Sequence, residues 1–284
     1  MLSAISAEAL KLRRHRATWL LVWIFPIGLL AIGLLGIGIE LAKGGPPAPG
    51  APELSKWLED AAGFWSAPSN GLVRYLICAF AAVVFGGEYG WNTWKLIVPH
   101  RARRTLIAAK YVVSIALLYA AFVAAALIMT GLNWAEDLLS GDPIPQGVTL
   151  GALAEAHWLG FLASLAPVLL SVGYASFASI MTRSTTAALV VGVVVVTLEQ
   201  LFRGFGPLLS FYLPGPVEFL YQALPGYHVA NLGSWIVGGE AISVPFPSGT
   251  LINYGWAASL AIVAAWVVAL VALTFVRFRR QDIN

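Results

Sequence analysis

The stretch GGEYGWNTWKLIVPHRARRTLIAAK, residues Gly86–Lys110, decides the fold because it places a polar, basic segment between two long apolar runs. It contains five of the 17 lysines and arginines of the 284-residue chain: Lys95, Arg101, Arg103, Arg104 and Lys110. A basic loop between two membrane spans stays in the cytoplasm, since positive charge resists translocation. The sequence therefore predicts a cytoplasmic loop over residues 86–110, flanked by two membrane-spanning helices.

Two tryptophans of this loop suggest a binding face. Trp91, Trp94 and Val98 are spaced at i, i+3 and i+7, which is one face of a short helix. Pro99 should end that helix, because proline lacks an amide donor and clashes with the preceding turn. The tryptophan face and its basic flank could dock onto a soluble partner. Alternatively, the tryptophans could lie at headgroup depth, with the arginines on lipid phosphates.

The composition is that of an all-α integral membrane protein. Hydrophobic residues make up 59% of the chain and charged residues 11%, whereas soluble domains carry about 25% charged residues. The single cysteine, Cys78, lies inside an apolar run, so the sequence predicts a small buried side chain and no disulfide. Six apolar runs predict six transmembrane helices in one domain over residues 1–284: 18–39, 72–87, 106–132, 158–181, 187–201 and 254–276.

The segments outside these spans have recognisable patterns. Residues 1–16 are amphipathic and basic at their end, which predicts an interfacial helix in the inner headgroup layer. Residues 43–50 are rich in glycine and proline, the composition of a linker, and a surface helix is predicted over residues 52–62. Both features belong to segments too polar or too short to cross a bilayer.

Residues 202–253 are apolar and aromatic, but prolines cut them into pieces too short to cross: Pro207, Pro214, Pro216 and Pro225. Broken helices at membrane depth need protein or a water-filled cavity to satisfy their backbone. We therefore predict two or three short re-entrant helices in the outer leaflet, between spans five and six. Candidate residues of a translocation path or gate there are Glu199, Arg203, Tyr212 and Glu218.

Charge predicts the topology. Placing both termini, residues 86–110 and the turn at Arg183 in the cytoplasm assigns 13 of the 17 lysines and arginines to that side. The four that remain are Lys43, Lys56, Arg74 and Arg203. Six spans with both termini cytoplasmic follow from this bias. Arg74, at the start of the second span, is expected to extend to the outer interface.

No motif points to catalysis. The chain has no Gly-Lys-Ser or Gly-Lys-Thr sequence to form a phosphate-binding loop, and neither an H-E-x-x-H nor a G-x-S-x-G sequence. Its four histidines are scattered, so no metal site is predicted: His15, His100, His157 and His228. We predict no catalytic residue and no cofactor in this chain, and no nucleic-acid partner.

The loop carries a further pattern: Glu88-Tyr89, Thr93, Lys95-Leu96, Pro99, the cluster from Arg101 to Arg104, then Lys110. This order resembles the permease subunit of type-2 ATP-binding-cassette exporters, in the branch with bacitracin-resistance and lantibiotic-immunity permeases. Span count and loop lengths extend the resemblance over nearly the whole chain. Where that family often has Arg-x-Gly-Thr after the Glu-Tyr pair, this chain has Gly90-Trp91-Asn92-Thr93.

The resemblance implies that the loop is a coupling helix, seated in a groove of a separate ATPase. The implied coupling residues are Glu88, Tyr89, Trp91, Thr93, Trp94, Lys95, Arg101, Arg103 and Arg104. It further implies two ATPase copies that carry ATP and Mg, a second identical or related permease, and a bacterial plasma membrane. Short helices between spans five and six would cap the exit path. The expected cargo is amphipathic or hydrophobic, a peptide antibiotic or lipid-like compound, and the expected role includes antibiotic resistance.

Other interpretations stay open from the residues alone. The chain could be a non-transporting scaffold that holds a soluble partner through the same loop. A membrane-embedded enzyme acting on lipid would need convergent Asp, Glu, His or Ser within the spans, where they are sparse. Glu88 either pairs with a lysine or arginine and transmits ATPase motion, or is hydrated at the interface. Glu199 and Arg203 are spaced as a helical ion pair, which could support the re-entrant region or contact substrate.

Overall fold

The computed structural model describes residues 1–44, 50–91 and 93–282. Residues 45–49 of the predicted linker, and Asn92 of the loop, lie outside the described residues. The helices are, in chain order, α1 (Leu2–Arg14), α2 (Arg16–Leu21), α3 (Ile24–Lys43), α4 (Leu54–Ala61), α5 (Gly71–Gly90), α6 (Trp94–Ile97), α7 (Arg103–Ser140), α8 (Leu150–Thr182), α9 (Thr185–Leu209), α10 (Pro214–Ala223), α11 (Pro225–Gly238) and α12 (Trp256–Arg279). Short 3₁₀ helices form at Gly63–Ser69 and Val98–His100, and strands β1 (Val244–Pro245) and β2 (Leu251–Ile252) pair antiparallel.

Six helices of the described chain are long and apolar enough to cross a membrane: α3, α5, α7, α8, α9 and α12. This confirms the prediction of an all-α, multi-pass membrane protein with six such helices. Each corresponds to one of the six apolar runs of the sequence. Helices α5 and α9 run in opposite directions, since Gly86 lies beside Thr185 and Arg74 beside Glu199.

Several helix boundaries differ from the predicted spans. The first predicted span, residues 18–39, contains the break between α2 and α3. The third and fourth spans are parts of longer helices, since α7 has 38 residues and α8 has 33. The fifth was predicted to end before residue 202, but α9 continues to Leu209. Pro207 has no amide to donate to the Arg203 carbonyl one turn earlier, and the Tyr221 hydroxyl donates to that carbonyl instead, at 3.1 Å.

Helix α5 lies at the centre of the bundle, packed against α8 on one side and α9 on another. Close approach requires a missing side chain: a Cβ on Gly86 would lie 2.9 Å from the Cα of Thr185. A Cβ on Gly192 of α9 would lie 3.0 Å from the Cβ of Cys78. Cys78 is fully buried, as predicted. Small residues let transmembrane helices approach closely and gain dispersion contacts.

The two ends of the bundle carry different segments. One end, here called the loop end, holds Trp91 and residues 93–102 between α5 and α7, the turn at Arg183, α1 and the end of α12. Contacts tie these parts together: the Lys11 ammonium lies 2.6 Å from Glu88, and Arg103 donates to the Phe278 carbonyl at 3.1 Å. The opposite end holds α4, the 3₁₀ helix Gly63–Ser69, α10, α11 and the strand pair. There the Trp57 indole donates to Asp137 at 2.7 Å.

Helix α1 packs along α7 and buries Ala4 and Leu12 against the bundle. Its place in a headgroup layer stays a prediction.

Helices α10 and α11 have 10 and 14 residues, so even α11 spans only about 21 Å at helical rise, less than the roughly 30 Å of a hydrocarbon core. Asn231 of α11 binds backbone groups near the strand pair. Its side-chain oxygen accepts from the Ile242 amide at 2.7 Å, and its side-chain nitrogen donates to the Tyr254 carbonyl at 2.8 Å. The re-entry of these helices into a leaflet stays a prediction.

The contact at Gly86 yields a test of the packing. Gly86→Ala should lower the thermal unfolding midpoint of the detergent-purified protein, because overpacking a close helix contact costs about 1–3 kcal/mol. The matched control is Gly131→Ala in α7, where no atom lies within 4 Å of the new Cβ. That variant should unfold at an equal or higher temperature, since alanine is the better helix former by about 0.5–1 kcal/mol. Equal midpoints for both variants would contradict the close approach of α5 and α9.

Candidate functional site

A set of four charges, two of them buried and two partly buried, lies at the loop end, and we call it the loop-end ion cluster: Glu8, Lys11, Glu88 and Lys110. The Glu88 side chain, on the last turn of α5, is 4% exposed. Its Oε1 accepts from the Lys11 ammonium at 2.6 Å and from the Lys110 ammonium at 3.1 Å. Both lysines also reach Glu8, at 2.8 and 3.2 Å. The cluster joins α1, α5 and α7.

Charge balance explains why these groups can be buried together. Two carboxylates face two ammonium groups, so no net charge is removed from water, and an unpaired ion here would be strongly unfavourable. Lys110 completes its hydrogen bonds with the Val84 carbonyl at 2.7 Å, and Glu88 accepts from the Thr93 hydroxyl. Burial disfavours the charge on Lys11, but Glu8 and Glu88 outweigh it and raise the pKa of Lys11 above its usual range. Of the two interpretations of Glu88, the structure shows a paired carboxylate, with lysines as partners.

Trp94 packs inside the protein, which corrects the prediction of an exposed tryptophan face. Trp94 is 2% exposed. Its ring centroid lies 4.6 Å from that of Phe278 and 5.9 Å from that of Tyr89. The Lys110 ammonium lies 5.3 Å from the ring centroid, a cation–π contact. The i, i+3, i+7 spacing assumed one continuous helix. Instead Trp91 follows the end of α5 and Trp94 begins α6, so the two rings point to different sides.

The loop is also fastened to the C-terminal end of α12. One guanidinium nitrogen of Arg103 donates to the carbonyls of Phe278, Arg279 and Gln281, at 3.1, 3.0 and 2.5 Å. The last carbonyls of a helix have no partner within it, so a cation placed there satisfies them. The Tyr89 hydroxyl donates to the Gln281 side chain at 2.5 Å, and the Gln281 amide donates to the Ile180 carbonyl. Sequence reasoning missed Gln281 and Phe278, because neither stands in a motif.

The remaining side of the loop faces outward, and we call it the exposed loop face: Trp91, Lys95, Leu96, Arg101 and Arg104. Trp91 is 58% exposed and Leu96 is 72% exposed. The Trp91 ring contacts only the edge of the bundle, with its centroid 5.4 Å from that of His15. Sequence reasoning did not place Leu96 among the coupling residues, although it lies in the quoted Lys95-Leu96 pair. The sequence feature that could have identified Leu96 is a large apolar residue within a basic loop.

A second buried cluster lies nearer the opposite end, and we call it the Arg74–Glu199 cluster. The two guanidinium nitrogens of Arg74 reach the two carboxylate oxygens of Glu199 at 2.5 and 3.1 Å. Arg74 Nε also donates to Ser171 Oγ at 3.0 Å, and the Tyr174 hydroxyl donates to Glu199 at 2.8 Å. The cluster joins α5, α8 and α9. A bidentate pair of this kind is among the stronger polar contacts available to a buried carboxylate.

Two predictions about these residues were wrong. Arg74 was expected to extend to the outer interface, but it is 2% exposed. Glu199 was expected to pair with Arg203 one turn away, but it pairs with Arg74, 125 positions earlier in the chain. Glu199 points into the bundle, whereas Arg203 is exposed on the outer side of α9. Spacing within one helix does not reveal a partner on a neighbouring helix.

The model of a family described as ABC-2 family transporter protein matches residues 4–199, more than half of the chain. The chain belongs to the ABC-2 transporter family. It is a membrane subunit of an ABC transporter and not itself an enzyme, and the family implies an ABC ATPase subunit as its partner. No curated protein and no solved structure matches the chain. The narrower resemblance to the bacitracin-resistance branch stays a prediction.

The matched residues of this ABC-2 subunit include both buried clusters and the whole loop, but not the gate candidates beyond Glu199. Glu199 and Arg203 line adjoining cavities. Tyr212 lies apart from them, 84% exposed in the link between α9 and α10. Glu218 accepts from the Ser248 hydroxyl at 2.5 Å, a contact that connects α10 to the loop between the strands. The structure therefore brings together two of the four gate candidates.

Within the described residues of the ABC-2 subunit, no three His, Cys, Asp or Glu side chains are placed to hold a metal ion. Two of the histidines instead connect segments. His157 accepts from the Trp65 indole at 2.9 Å and contacts the Thr130 hydroxyl at 2.9 Å. His228 lies 3.0 Å from the Ser259 hydroxyl, and burial lowers its pKa.

The Arg74–Glu199 cluster predicts a strong asymmetry between single and double variants. Glu199→Gln leaves the Arg74 charge buried without its carboxylate, which should destabilise the protein by about 3–5 kcal/mol. The double variant Arg74→Met with Glu199→Leu removes both charges and should recover most of that loss. Thermal and denaturant unfolding in detergent measure both. The single variants Arg74→Met and Glu199→Leu complete the comparison, and a double variant as unstable as the sum of these two would contradict a mutually neutralising pair.

Proposed function

We propose that this chain is the permease of an exporter, driven by two copies of a separate ABC ATPase that bind ATP and Mg. Residues 86–110 act as the coupling helix, and a second copy of the permease completes the transporter. The observation that carries the proposal is the two-sided construction of the loop. Buried ions and rings hold its inner side to the bundle, while the exposed loop face presents Trp91 and Leu96 among basic residues.

The exposed loop face has the composition of a docking surface. Tryptophan and arginine are enriched at the energetically dominant positions of protein interfaces. Neither Trp91 nor Leu96 contributes to the core of this chain, since both are mostly exposed. Lys95, Arg101 and Arg104 surround them and would favour an acidic groove on the ATPase. Trp94, which was predicted to dock directly, instead supports the loop from inside.

The contacts of the loop supply a route for motion. A force on the exposed loop face reaches α1 and α7 through the loop-end ion cluster, and α12 through Arg103. Helix α5 then connects that cluster to the Arg74–Glu199 cluster. Glu88 and Arg74 are 14 residues apart, which is about 21 Å along the helix axis. Closure of the ATPase pair would in this way displace α8 and α9 as well as α5.

We further propose that the loop end is cytoplasmic, in a bacterial inner membrane, with both termini on that side. The charge bias of the sequence supports this orientation. Helices α10 and α11 would then cap the outward exit. The cargo is an amphipathic or hydrophobic compound, such as a peptide antibiotic or a lipid-like molecule, and export would confer resistance. Support for this cargo comes from an apolar cavity between α8, α11 and α12 at the opposite end.

Loss of Trp91 tests docking. Trp91→Ala should reduce affinity for the ATPase by roughly thirtyfold, because loss of a central aromatic side chain commonly costs about 2 kcal/mol or more at an interface. The measurement is the amount of ABC ATPase, identified by mass spectrometry, that co-purifies with the permease, together with its ATP hydrolysis. The matched control is Trp158→Ala, since Trp158 is also 58% exposed but lies on α8 near the opposite end.

Both variants should unfold at the temperature of the parent, because neither ring is buried. If Trp91 only anchors the loop in lipid headgroups, the Trp91 variant will retain its ATPase and its hydrolysis as the Trp158 variant does. That result would contradict the coupling role. If the parent protein co-purifies with the ATPase but the complex hydrolyses no ATP, that result would favour a scaffold over an exporter.

Cysteine labelling tests the orientation. In a chain with Cys78 replaced by alanine, a cysteine at Lys56 should react with a membrane-impermeant maleimide added to intact cells. A cysteine at Arg104 should react only after the membrane is opened. Both positions are exposed in the structure, so access to solvent is matched. Labelling of position 104 from outside would contradict the proposed orientation.

A further inference from the structure

Two cavities adjoin at the side of α9, between the spanning helices and the short helices α10 and α11. The larger has a volume of about 340 Å³ and an almost wholly apolar lining that includes Val195, Leu198, Phe202 and Trp266. The smaller, of about 30 Å³, is lined mainly by polar side chains, among them Ser69, Arg74 and Gln200. Glu199, Arg203 and Gly226 line both. The smaller cavity has room for roughly two water molecules.

The larger cavity is open to the surroundings of the bundle. Leu198 is 59% exposed and Leu220 is 44% exposed, although both line it. In a membrane protein, the outer face of a spanning helix is in contact with acyl chains. The approach of α11 to α9 at this point depends on Gly226, whose Cβ would lie 3.0 Å from the Glu199 carbonyl oxygen. The cavity is therefore accessible from the lipid side.

The charge at the junction of the cavities is positive. Arg74 and Glu199 neutralise each other through their bidentate pair. The Arg203 side chain forms no hydrogen bond and no ion pair with any residue that the structure describes. It therefore leaves one uncompensated cation beside an apolar cavity. The hydroxyl groups of Tyr221 and Tyr227, which also line the cavity, already donate to the Arg203 and Ile242 carbonyls.

The geometry points to a binding site for an anionic phospholipid of the leaflet at the opposite end of the bundle. We propose that Arg203 binds the phosphate of the headgroup while one acyl chain occupies the 340 Å³ cavity. Arg203 and Val195 are eight residues apart, about 12 Å along α9, so the chain would extend from headgroup depth toward the membrane centre, as a lipid does. This site requires neither ATP nor the ATPase, and it is independent of the proposed export function.

The test uses the full chain in phosphatidylcholine vesicles that contain a trace of photoreactive lipid. One probe is a phosphatidylglycerol with a diazirine in its acyl chain, and the other is a phosphatidylcholine with the same chain. After illumination, mass spectrometry locates the labelled peptides. The phosphatidylglycerol probe should label the cavity lining about fivefold more than the phosphatidylcholine probe. That ratio equals about 1 kcal/mol, the usual contribution of one cation near a charged headgroup.

Variants separate the roles of charge and cavity. Arg203→Gln should abolish the preference between probes, Arg203→Lys should retain it, and the control Arg280→Gln, at the loop end, should behave as the parent. Val195→Phe places a bulkier side chain in the cavity, which should narrow it and reduce its labelling by both probes. The matched control Val191→Phe changes an exposed residue one turn away that does not line the cavity, and it should label normally.

Three outcomes would overturn the proposal. The first is equal labelling of the lining by the two probes in the parent. The second is unchanged labelling in Val195→Phe with the thermal midpoint of the parent. The third is loss of labelling on addition of inorganic phosphate, which would assign Arg203 to a free anion and not to a lipid.

Discussion

A charge inside a membrane bundle is tolerated only where an opposite charge lies beside it, and this chain places two such charges on one helix. Glu88 and Arg74 lie near the two ends of α5. Glu88 pairs with Lys11 of α1 and Lys110 of α7. Arg74 binds Ser171 of α8 and Glu199 of α9. Loss of any partner would leave an ion buried. The two clusters therefore tie these five helices together near both ends of α5.

This constraint gives the loop between α5 and α7 its form. A loop between two spans could be a flexible connection, but here Trp94 lies under α12, Arg103 binds its last carbonyls, and Glu88 accepts from Thr93. What is left outside is a small apolar and basic face on a rigid support. These contacts already hold the loop against α1, α7 and α12, so a displacement of the exposed loop face would act on those helices directly.

Much of the architecture could be predicted from the sequence, since the length of an apolar run and the absence of charges within it are local properties. The six helices and the basic loop follow from them. Partners across the bundle could not be predicted in the same way. Glu199 has an arginine one turn away on its own helix, yet it binds Arg74 because it faces inward. Trp94 matched an exposed stripe by spacing, and only the position of Phe278, near the end of the chain, shows that its ring is covered.

The buried Glu88 carboxylate holds the loop in one position through its contacts with α1, α7 and Thr93. Spin labels on cysteines at Leu96, in the loop, and Met181, at the end of α8, report this directly in a chain with Cys78 replaced, because both positions are exposed. Pulsed electron paramagnetic resonance should give one narrow distance distribution in that labelled background. With Glu88→Gln added, Lys11 and Lys110 lose one of the two carboxylates that they share, the one on α5, and the distribution should broaden. An equally narrow, unshifted distribution in the Glu88→Gln protein would contradict the account.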